Sequence, residues 1–217
     1  MTSRAERPNP AILARMADSL RHRGPDGSGV HLRDNVGMVH TRLAIIDLAT
    51  GGHPLYEPGG AALVGNGEIY NYIELRKDLC FSQVAFATNS DFEPALHLYR
   101  KMGTAFTSLL RGMYAIAIHD PEEGRLILAR DPFGIKPLYY VEGSDFFAFA
   151  SEAQALTAGG LTEGTIEPDC CLELLRFHYT KGEHSAYPGV QRLLYVHHVR
   201  APLQPVDRYV QAIGDLA

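Results

Sequence analysis

Apolar residues near the N-terminus recur at helical spacing. Four of them between positions 11 and 20 fall on one helical face. These residues are Ile12, Leu13, Met16 and Leu20. The following segment, residues 21–27, contains Gly-Pro and Asp-Gly, which are typical of turns. The pattern predicts an amphipathic helix that is preceded by a polar arm over residues 1–9 and followed by a turn.

Further along, runs rich in Val, Ile and Leu alternate with helical segments. The predicted strands span residues 36–47 and 61–65. Helices are predicted within residues 68–78, over residues 90–101 and over residues 168–177, and a further helix is predicted to begin at residues 152–156. Ser90 and Glu93 have the Ser-x-x-Glu spacing of a capping box, which predicts that they begin the second of these helices. Gly103 is the expected stop of that helix.

Two hairpins are predicted in the second half of the chain. Residues 113–119 and 125–130 flank a loop that contains Gly124, and residues 138–141 and 146–150 flank a loop of the same kind. Adjacent hairpins indicate antiparallel sheets, with helices before and after them in the chain. The sequence therefore predicts an α+β fold of packed sheets with helices outside, although periodicity alone leaves the number of layers open.

Composition narrows the range of partners. The formal net charge is −5 and the chain has no long basic run, so neither nucleic acid nor an anionic membrane is expected as a partner. No apolar stretch approaches the roughly 20 residues that span a bilayer. Of the three cysteines, Cys170 and Cys171 are adjacent, which makes a poor disulfide framework. A reducing, cytoplasmic setting is the simpler interpretation, and no metal site is expected.

Six short motifs occur in one order along the chain. They are Arg-His-Arg-Gly-Pro-Asp-Gly (21–27), His-Thr-Arg-Leu-Ala-Ile-Ile-Asp (40–47), Gly-Asn-Gly-Glu-Ile-Tyr-Asn (65–71), Ser-Asp-Phe-Glu (90–93), Arg-Asp-Pro-Phe-Gly-Ile-Lys-Pro-Leu-Tyr-Tyr (130–140) and Phe-Ala-Ser-Glu (149–152). In this order and spacing they resemble the glutaminase domain of glutamine-dependent asparagine synthetases, which are class II, N-terminal-nucleophile amidotransferases. The match runs from about Pro10 to Leu156 and continues more weakly to about Arg208.

The resemblance implies a four-layer αββα sandwich of two antiparallel sheets over residues 10–200. It leaves residues 201–217 as a linker toward a synthetase domain. It also implies hydrolysis of glutamine to glutamate and ammonia without a cofactor, with the ammonia passing to an ATP-dependent synthetase domain or subunit. A homo-oligomer and the identity of the ammonia acceptor stay open.

Motif positions assign the groups that would bind glutamine. By resemblance, Arg42 holds the α-carboxylate, for which a guanidinium fork gives two charge-assisted hydrogen bonds. Asp91 matches the position that binds the α-ammonium group, and Glu68 matches a second polar contact. Taken singly, Arg42 would be a surface arginine and Asp91 a helix cap, but the surrounding motifs favour binding.

Two adjacent residues match the oxyanion hole of this family. Attack on the amide carbon produces an oxyanion, and a donor aimed at it in advance lowers the barrier by about 3–4 kcal/mol. The resemblance assigns this role to the side chain of Asn66 and the backbone N–H of Gly67. Asn-Gly alone usually marks a turn, whereas the continuation Glu-Ile-Tyr-Asn favours the catalytic assignment.

The nucleophile of this family is a cysteine at the mature N-terminus, and the sequence begins instead with Met1 and Thr2. Three interpretations stay open. The first is that the sequence begins late, the second is that the nucleophile has been lost while the pocket is kept, and the third, less favoured, is that Thr2 replaces the cysteine. The chain as written is predicted to bind glutamine without hydrolysing it. The competing hypothesis is a non-catalytic glutamine-binding or scaffold module for a synthetase partner.

Overall fold

The computed structural model describes residues 7–44, 51–81, 83–194, 201–202 and 208–214. The helices in this part of the chain are α1 (Pro10–Ser19), α2 (Tyr72–Phe81), α3 (Glu93–Met102), α4 (Ala153–Gly159) and α5 (Pro168–Phe177), with a 3₁₀ segment at Gly103–Leu109. The strands are β1 (Gly27–Arg33), β2 (Val36–Arg42), β3 (Leu55–Tyr56), β4 (Ala62–Ile69), β5 (Gly112–Asp120), β6 (Arg125–Arg130), β7 (Tyr139–Glu142), β8 (Phe146–Ala150), β9 (Gln191–Arg192), β10 (Ala201–Pro202) and β11 (Arg208–Gly214).

The strands form two sheets that pack face to face. The first has the order β1-β2-β11-β8-β7-β9, and the second has the order β10-β6-β5-β4-β3. One apolar core lies between the sheets and includes Met38, Val64, Leu128 and Phe149. This arrangement confirms the predicted α+β sandwich.

Two further cores lie on the outer faces of the sheets. Leu13 and Met16 of α1 pack with α4 against the first sheet. Leu96 and Tyr99 of α3 pack with α2 against the second sheet. The order of layers is therefore helices, sheet, sheet and helices. None of the helices in the described part of the chain is long and apolar enough to cross a membrane.

The strand β11 lies between β2 and β8 and runs parallel to both. Residues 209–214 pair with residues 36–41 of β2, and residues 208–212 pair with residues 146–150 of β8. The other pairs of strands in the two sheets are antiparallel. A segment that the sequence led us to expect as linker thus completes the first sheet, and a further linking role for residues 201–217 stays a prediction.

Several elements follow directly from local sequence. α1 begins after Asn9, whose side-chain oxygen accepts a hydrogen bond from the Ala11 N–H at 2.9 Å. The loop between β5 and β6 contains Gly124 with φ +58°, a left-handed conformation that glycine adopts readily. α5 has the predicted bounds, and β2 ends at Arg42, while residues 45–47 of the predicted strand lie outside the described residues.

The predicted capping box of α3 is wrong. Phe92 is the N-cap residue and makes no side-chain capping bond. The carboxylate of Glu93 instead accepts hydrogen bonds from the backbone N–H groups of Ala87 and Thr88, at 2.6 and 2.8 Å. Glu93 therefore fixes the loop before the helix, and the Ser90 N–H donates instead to Oγ1 of Thr88 at 3.2 Å.

Candidate functional site

Three of the predicted site residues lie on β4. Asn66 is opposite Ala115 of β5 and is completely buried. Because side chains alternate between the two faces of a strand, Asn66 points to the same face as Ala62 and Val64, which belong to the core between the sheets. An amide therefore projects into an otherwise apolar layer, directly opposite the first sheet.

The carboxamide of Asn66 has no hydrogen-bond partner among the described residues. Both its Nδ2 and its Oδ1 atoms are buried and unpaired. Burying an amide without a partner costs about 1–3 kcal/mol, so such groups are rare in folded proteins. An unpaired, fully buried amide is therefore a candidate for an interaction with a bound molecule.

Gly67 has a backbone conformation that favours glycine. Its φ is +130°, and a Cβ atom built on it would lie 1.9 Å from the carbonyl oxygen of Met113. Any larger residue would have to displace the backbone of the neighbouring strand. The sequence Asn66-Gly67 thus belongs to a strand with a distorted backbone, and is not the plain turn that the dipeptide alone indicates.

The open edge of β4 carries a row of backbone N–H groups. The Gly65 N–H donates to Nδ1 of His53 at 3.1 Å, and the Ile69 N–H donates to Oδ2 of Asp91 at 2.7 Å. In an antiparallel strand the backbone groups of alternate residues leave on the same side. The N–H of Gly67 is therefore directed to this same edge, between His53 and Asp91.

The remaining predicted site residues are Asp91, Glu68 and Arg42, and they lie on three different segments. Asp91 is 5% exposed and lies two residues before the first residue of α3, so its bond from the Ile69 N–H joins the segment before that helix to β4. Glu68 follows Gly67 on β4 and is partly exposed. Arg42 ends β2 and is also partly exposed. Burial lowers the pKa of His53, which bonds to the residue before Asn66, and the charges of His40 and then Arg42 lower that pKa further.

The turn before β1 organises the end of β2. The Asp26 carboxylate accepts a hydrogen bond from the Ala44 N–H at 2.9 Å, and the Asp26 N–H donates to the carbonyl of Arg42 at 2.9 Å. Arg23 is buried and pairs with Glu152 at 2.8 Å. Burial raises the pKa of Glu152, but hydrogen bonds from Arg23 and from His22 outweigh it and lower that pKa. In contrast, Arg21 is largely exposed.

Arg130 and Asp131 form hydrogen bonds to the backbone around the loop that follows β6. The guanidinium of Arg130 donates to the carbonyl oxygens of Gly134, Lys136 and Leu193. The carboxylate of Asp131 accepts from three backbone N–H groups, those of Phe133, Ile135 and Lys136, at 3.0–3.1 Å. Five of these six bonds tie a side chain to the loop after β6, and the sixth ties Arg130 to Leu193 after β9, so this cluster fixes the loop.

Two histidines of the site were not predicted from the sequence. His40 and His53 stack with ring centroids 4.5 Å apart, beside Gly65. His40 falls within a quoted motif, but the motif does not indicate its contact with β4, because that contact crosses from one sheet to the other. Within the described residues no group of three His, Cys, Asp or Glu side chains could hold a metal ion.

The fold resembles those of solved amidotransferase structures. The glutamine phosphoribosylpyrophosphate (PRPP) amidotransferase from B. subtilis, complexed with ADP and GMP, superposes with a TM-score of 0.59 at 24% identity. A second structure, described as the allosteric regulatory enzyme of purine biosynthesis, superposes with a TM-score of 0.58 at 25% identity. Each match covers 72% of this chain and 42% of the other chain.

Relatives by sequence are much longer proteins. Asparagine synthetase [glutamine-hydrolyzing] 2 of Bacillus subtilis (strain 168) is 44% identical over 146 residues, which is 67% of this chain and 19% of the relative. Asparagine synthetase [glutamine-hydrolyzing] 3 of Arabidopsis thaliana is 44% identical over 147 residues, or 67% of this chain and 25% of the relative. Amidase chry2 of Gibberella zeae is 40% identical over 163 residues, which is 73% of this chain and 23% of the relative.

This chain therefore spans about a quarter or less of the length of these relatives. The family model for the glutamine amidotransferase domain matches residues 2–209, which is nearly the whole chain. The family model, the synthetase relatives and the superposed amidotransferase folds agree. The chain belongs to the glutamine amidotransferase domain family, as a class II domain of the asparagine-synthetase type.

Proposed function

We propose that this chain binds glutamine beside the open edge of β4 and supplies the donors that stabilise the oxyanion of its hydrolysis. The observation that carries the proposal is the buried Asn66 carboxamide, which has no partner among the described residues and adjoins Gly67. An amide N–H and a backbone N–H on neighbouring residues suit one oxygen atom that gains negative charge.

The ends of the substrate would be held by opposite charges. The α-carboxylate of glutamine fits the guanidinium of Arg42, and the α-ammonium group fits the carboxylates of Asp91 and Glu68. The bond from Ile69 to Asp91 keeps that carboxylate at the edge where the Gly67 N–H lies. Binding of both ends would place the carboxamide group of the substrate near Asn66.

The reaction also needs a nucleophile. A cysteine thiolate at a chain terminus would attack the amide carbon, and its own α-amine would carry the proton to the leaving ammonia. The described cysteines do not suit this role, because Cys170 and Cys171 are interior residues of α5 and have no free amine. Burial raises the pKa of Cys170, which disfavours its thiolate.

The ammonia would be used by an ATP-dependent synthetase. The synthetase relatives extend far beyond the region matched by this chain, so the acceptor reaction would lie in a further domain or a separate subunit. The free thiols of Cys170 and Cys171 suit a reducing compartment such as the cytoplasm.

A second candidate function is a scaffold module that docks a partner. It is favoured by the loop after β6, where Phe133 is 86% exposed and Ile135 is 57% exposed. Arg130 and Asp131 fix this loop through five hydrogen bonds to its backbone, so the loop and its two large apolar side chains would lose little conformational entropy when a partner binds.

Calorimetry with glutamine tests the pocket. We expect the chain to bind glutamine and the Arg42→Ala variant to bind at least about tenfold more weakly, since a hydrogen bond to a charged group contributes about 1.5–3 kcal/mol. Arg125→Ala is the matched control, because Arg125 is a surface arginine on β6 that pairs with Glu123. Absence of binding by the unaltered chain would contradict the proposal.

Adding Cys-Gly-Ile ahead of Met1 distinguishes the amidotransferase from the scaffold module. Glutamate release by the extended chain would support the amidotransferase, and Asn66→Ala should then reduce turnover by about 10²–10³. Binding of glutamine without turnover by the extended chain would instead support the scaffold module.

A further inference from the structure

Two imidazoles bond to the backbone of one residue, Gly65, beside the oxyanion donors. The Gly65 N–H donates to Nδ1 of His53, and Nε2 of His40 donates to the Gly65 carbonyl oxygen, each at 3.1 Å. The neighbouring strand β3 pairs with β4 only at residues 62 and 63. His40 and His53, here called the imidazole pair, therefore take the place of a strand partner at Gly65.

Packing fixes the imidazole pair in this position. The two rings are nearly parallel, with an interplanar angle of 20°, and His53 makes an edge contact with Phe92 at 5.5 Å. Gly65 admits this packing because a Cβ atom there would lie 2.5 Å from the ring of Phe92. The absence of a side chain at Gly65 thus allows Phe92 to support the ring that holds the Gly65 N–H.

The hydrogen bonds also define the protonation of His53. Its Nδ1 atom accepts from Gly65, so the ring must be neutral with its proton on Nε2. Burial lowers the pKa of His53 well below 6.5, and the charges of His40 and Arg42 lower it further. The ring consequently keeps its acceptor at neutral pH.

We propose that the imidazole pair positions the oxyanion donors. The pair binds the backbone N–H and the carbonyl oxygen of Gly65. It thereby sets the direction of the Asn66 carboxamide and of the Gly67 N–H, which follow Gly65 in the same strand. His53 and His40 are thus positioning residues and need not touch the substrate. This inference rests on the proposed function, because it names the groups that orient that same site.

Substitutions of His53 test the inference on the chain itself. His53→Leu removes the acceptor, whereas His53→Asn keeps it because Oδ1 of asparagine can occupy the position of Nδ1. We expect the Gly65 amide to exchange with solvent much faster in His53→Leu, with shifted resonances for the Gly67 amide and the Asn66 side chain in NMR spectra. His53→Asn and the control His184→Leu, at an exposed histidine, should resemble the unaltered chain.

The Cys-Gly-Ile-extended chain supplies a kinetic test. Misplacement of catalytic groups by about 1 Å can cost 10²-fold, so His53→Leu should lower kcat by about 10–100-fold. KM should change little, since the charged groups that would hold the substrate are untouched. A rise in KM with an unchanged kcat would overturn the inference, because His53 would then act in binding of the ground state.

The proposed function and the role of the imidazole pair can fail separately. If the unaltered chain does not bind glutamine, the proposed function fails, and the amide exchange of Gly65 still decides whether the imidazole pair orients the strand. Unchanged exchange and unchanged Gly67 and Asn66 resonances in a folded His53→Leu variant would overturn the inference. If that variant does not fold, His40→Leu and the donor-keeping His40→Gln provide the same comparison at the Gly65 carbonyl.

Discussion

Two buried asparagines, five residues apart, differ in their hydrogen bonding. The amide of Asn71 donates to the Leu109 carbonyl at 2.9 Å, and its oxygen accepts from the Arg111 N–H at 2.8 Å. The amide of Asn66 is buried more completely and has no partner among the described residues. One asparagine joins β4 to the segment before β5, and the other has both of its polar atoms unused.

The difference separates structural from functional polar groups. A paired amide such as that of Asn71 contributes to the stability of the fold, whereas an unpaired buried amide reduces stability unless a ligand completes its bonds. Sequence motifs alone do not make this distinction, since Asn66 and Asn71 occur in the same motif. The hydrogen-bond partners make this distinction, and they lead to different expectations for substitution by alanine at the two positions.

The largest effect is expected at Asn71. Asn71→Ala leaves the Leu109 carbonyl and the Arg111 N–H without their partner, and each orphaned group costs about 1–3 kcal/mol. We therefore expect the free energy of unfolding to fall by about 2–4 kcal/mol, measured by urea denaturation monitored by circular dichroism. A loss below 1 kcal/mol would show that water replaces the side chain at no cost.

A buried histidine pair should make the free energy of unfolding depend on pH, with an effect smaller than that expected at Asn71. Nε2 of His31 and Nδ1 of His119 are 2.9 Å apart, while Nε2 of His119 has no partner within the described structure. Burial, and then the charge of His31, lower the pKa of His119 to about 4. The unfolded chain would bind this proton near pH 6.5, so it binds more protons than the folded chain between the two values.

The stabilisation is consequently complete above pH 6.5 and is lost as the pH falls toward 4. The loss from this one group could reach about 3 kcal/mol, since one pKa unit corresponds to 1.36 kcal/mol. Unfolding by urea from pH 7 to pH 4, compared between the unaltered chain and His119→Gln, isolates the contribution. Parallel pH profiles for the two proteins would contradict the assignment.

The smallest effect is expected at Asn66. Asn66→Ala removes two unpaired polar atoms, and this gain offsets the loss of packing, so the free energy of unfolding should change by less than about 1 kcal/mol. The same urea measurement checks this, with Asn71→Ala as the matched comparison. A destabilisation equal to that of Asn71→Ala would mean that the Asn66 amide is bonded in the folded chain.

Much of the fold could be predicted from local patterns. The helical spacing of Leu13 and Met16 identified α1, and the turn residues between the apolar runs identified both hairpins. These elements depend on neighbouring residues, whose preferences are visible in the sequence. Ser90 and Glu93 show the limit of such patterns, because a competing set of donors at residues 87 and 88 binds the carboxylate of Glu93.

The candidate site was predicted only in part, and its residue assignments remain predictions. Asn66, Gly67 and Glu68 are adjacent in sequence, so their common location follows once β4 forms. The position of His53 beside Gly65 could not be predicted, because it depends on how a loop reaches the edge of the second sheet. The pairing of β11 with β2 was equally inaccessible, since about 170 residues separate the partners.

The central position of β11 has a consequence for biosynthesis. A ribosome makes β2 and β8 before residues 208–214 leave the exit tunnel, so the first sheet lacks its middle strand until that segment has emerged. Contacts between segments so distant in sequence slow folding, because the intervening chain must be ordered before they form. Until then both inner edges of β2 and β8 offer unpaired backbone groups, which makes the nascent chain a substrate for chaperones that shield exposed strands.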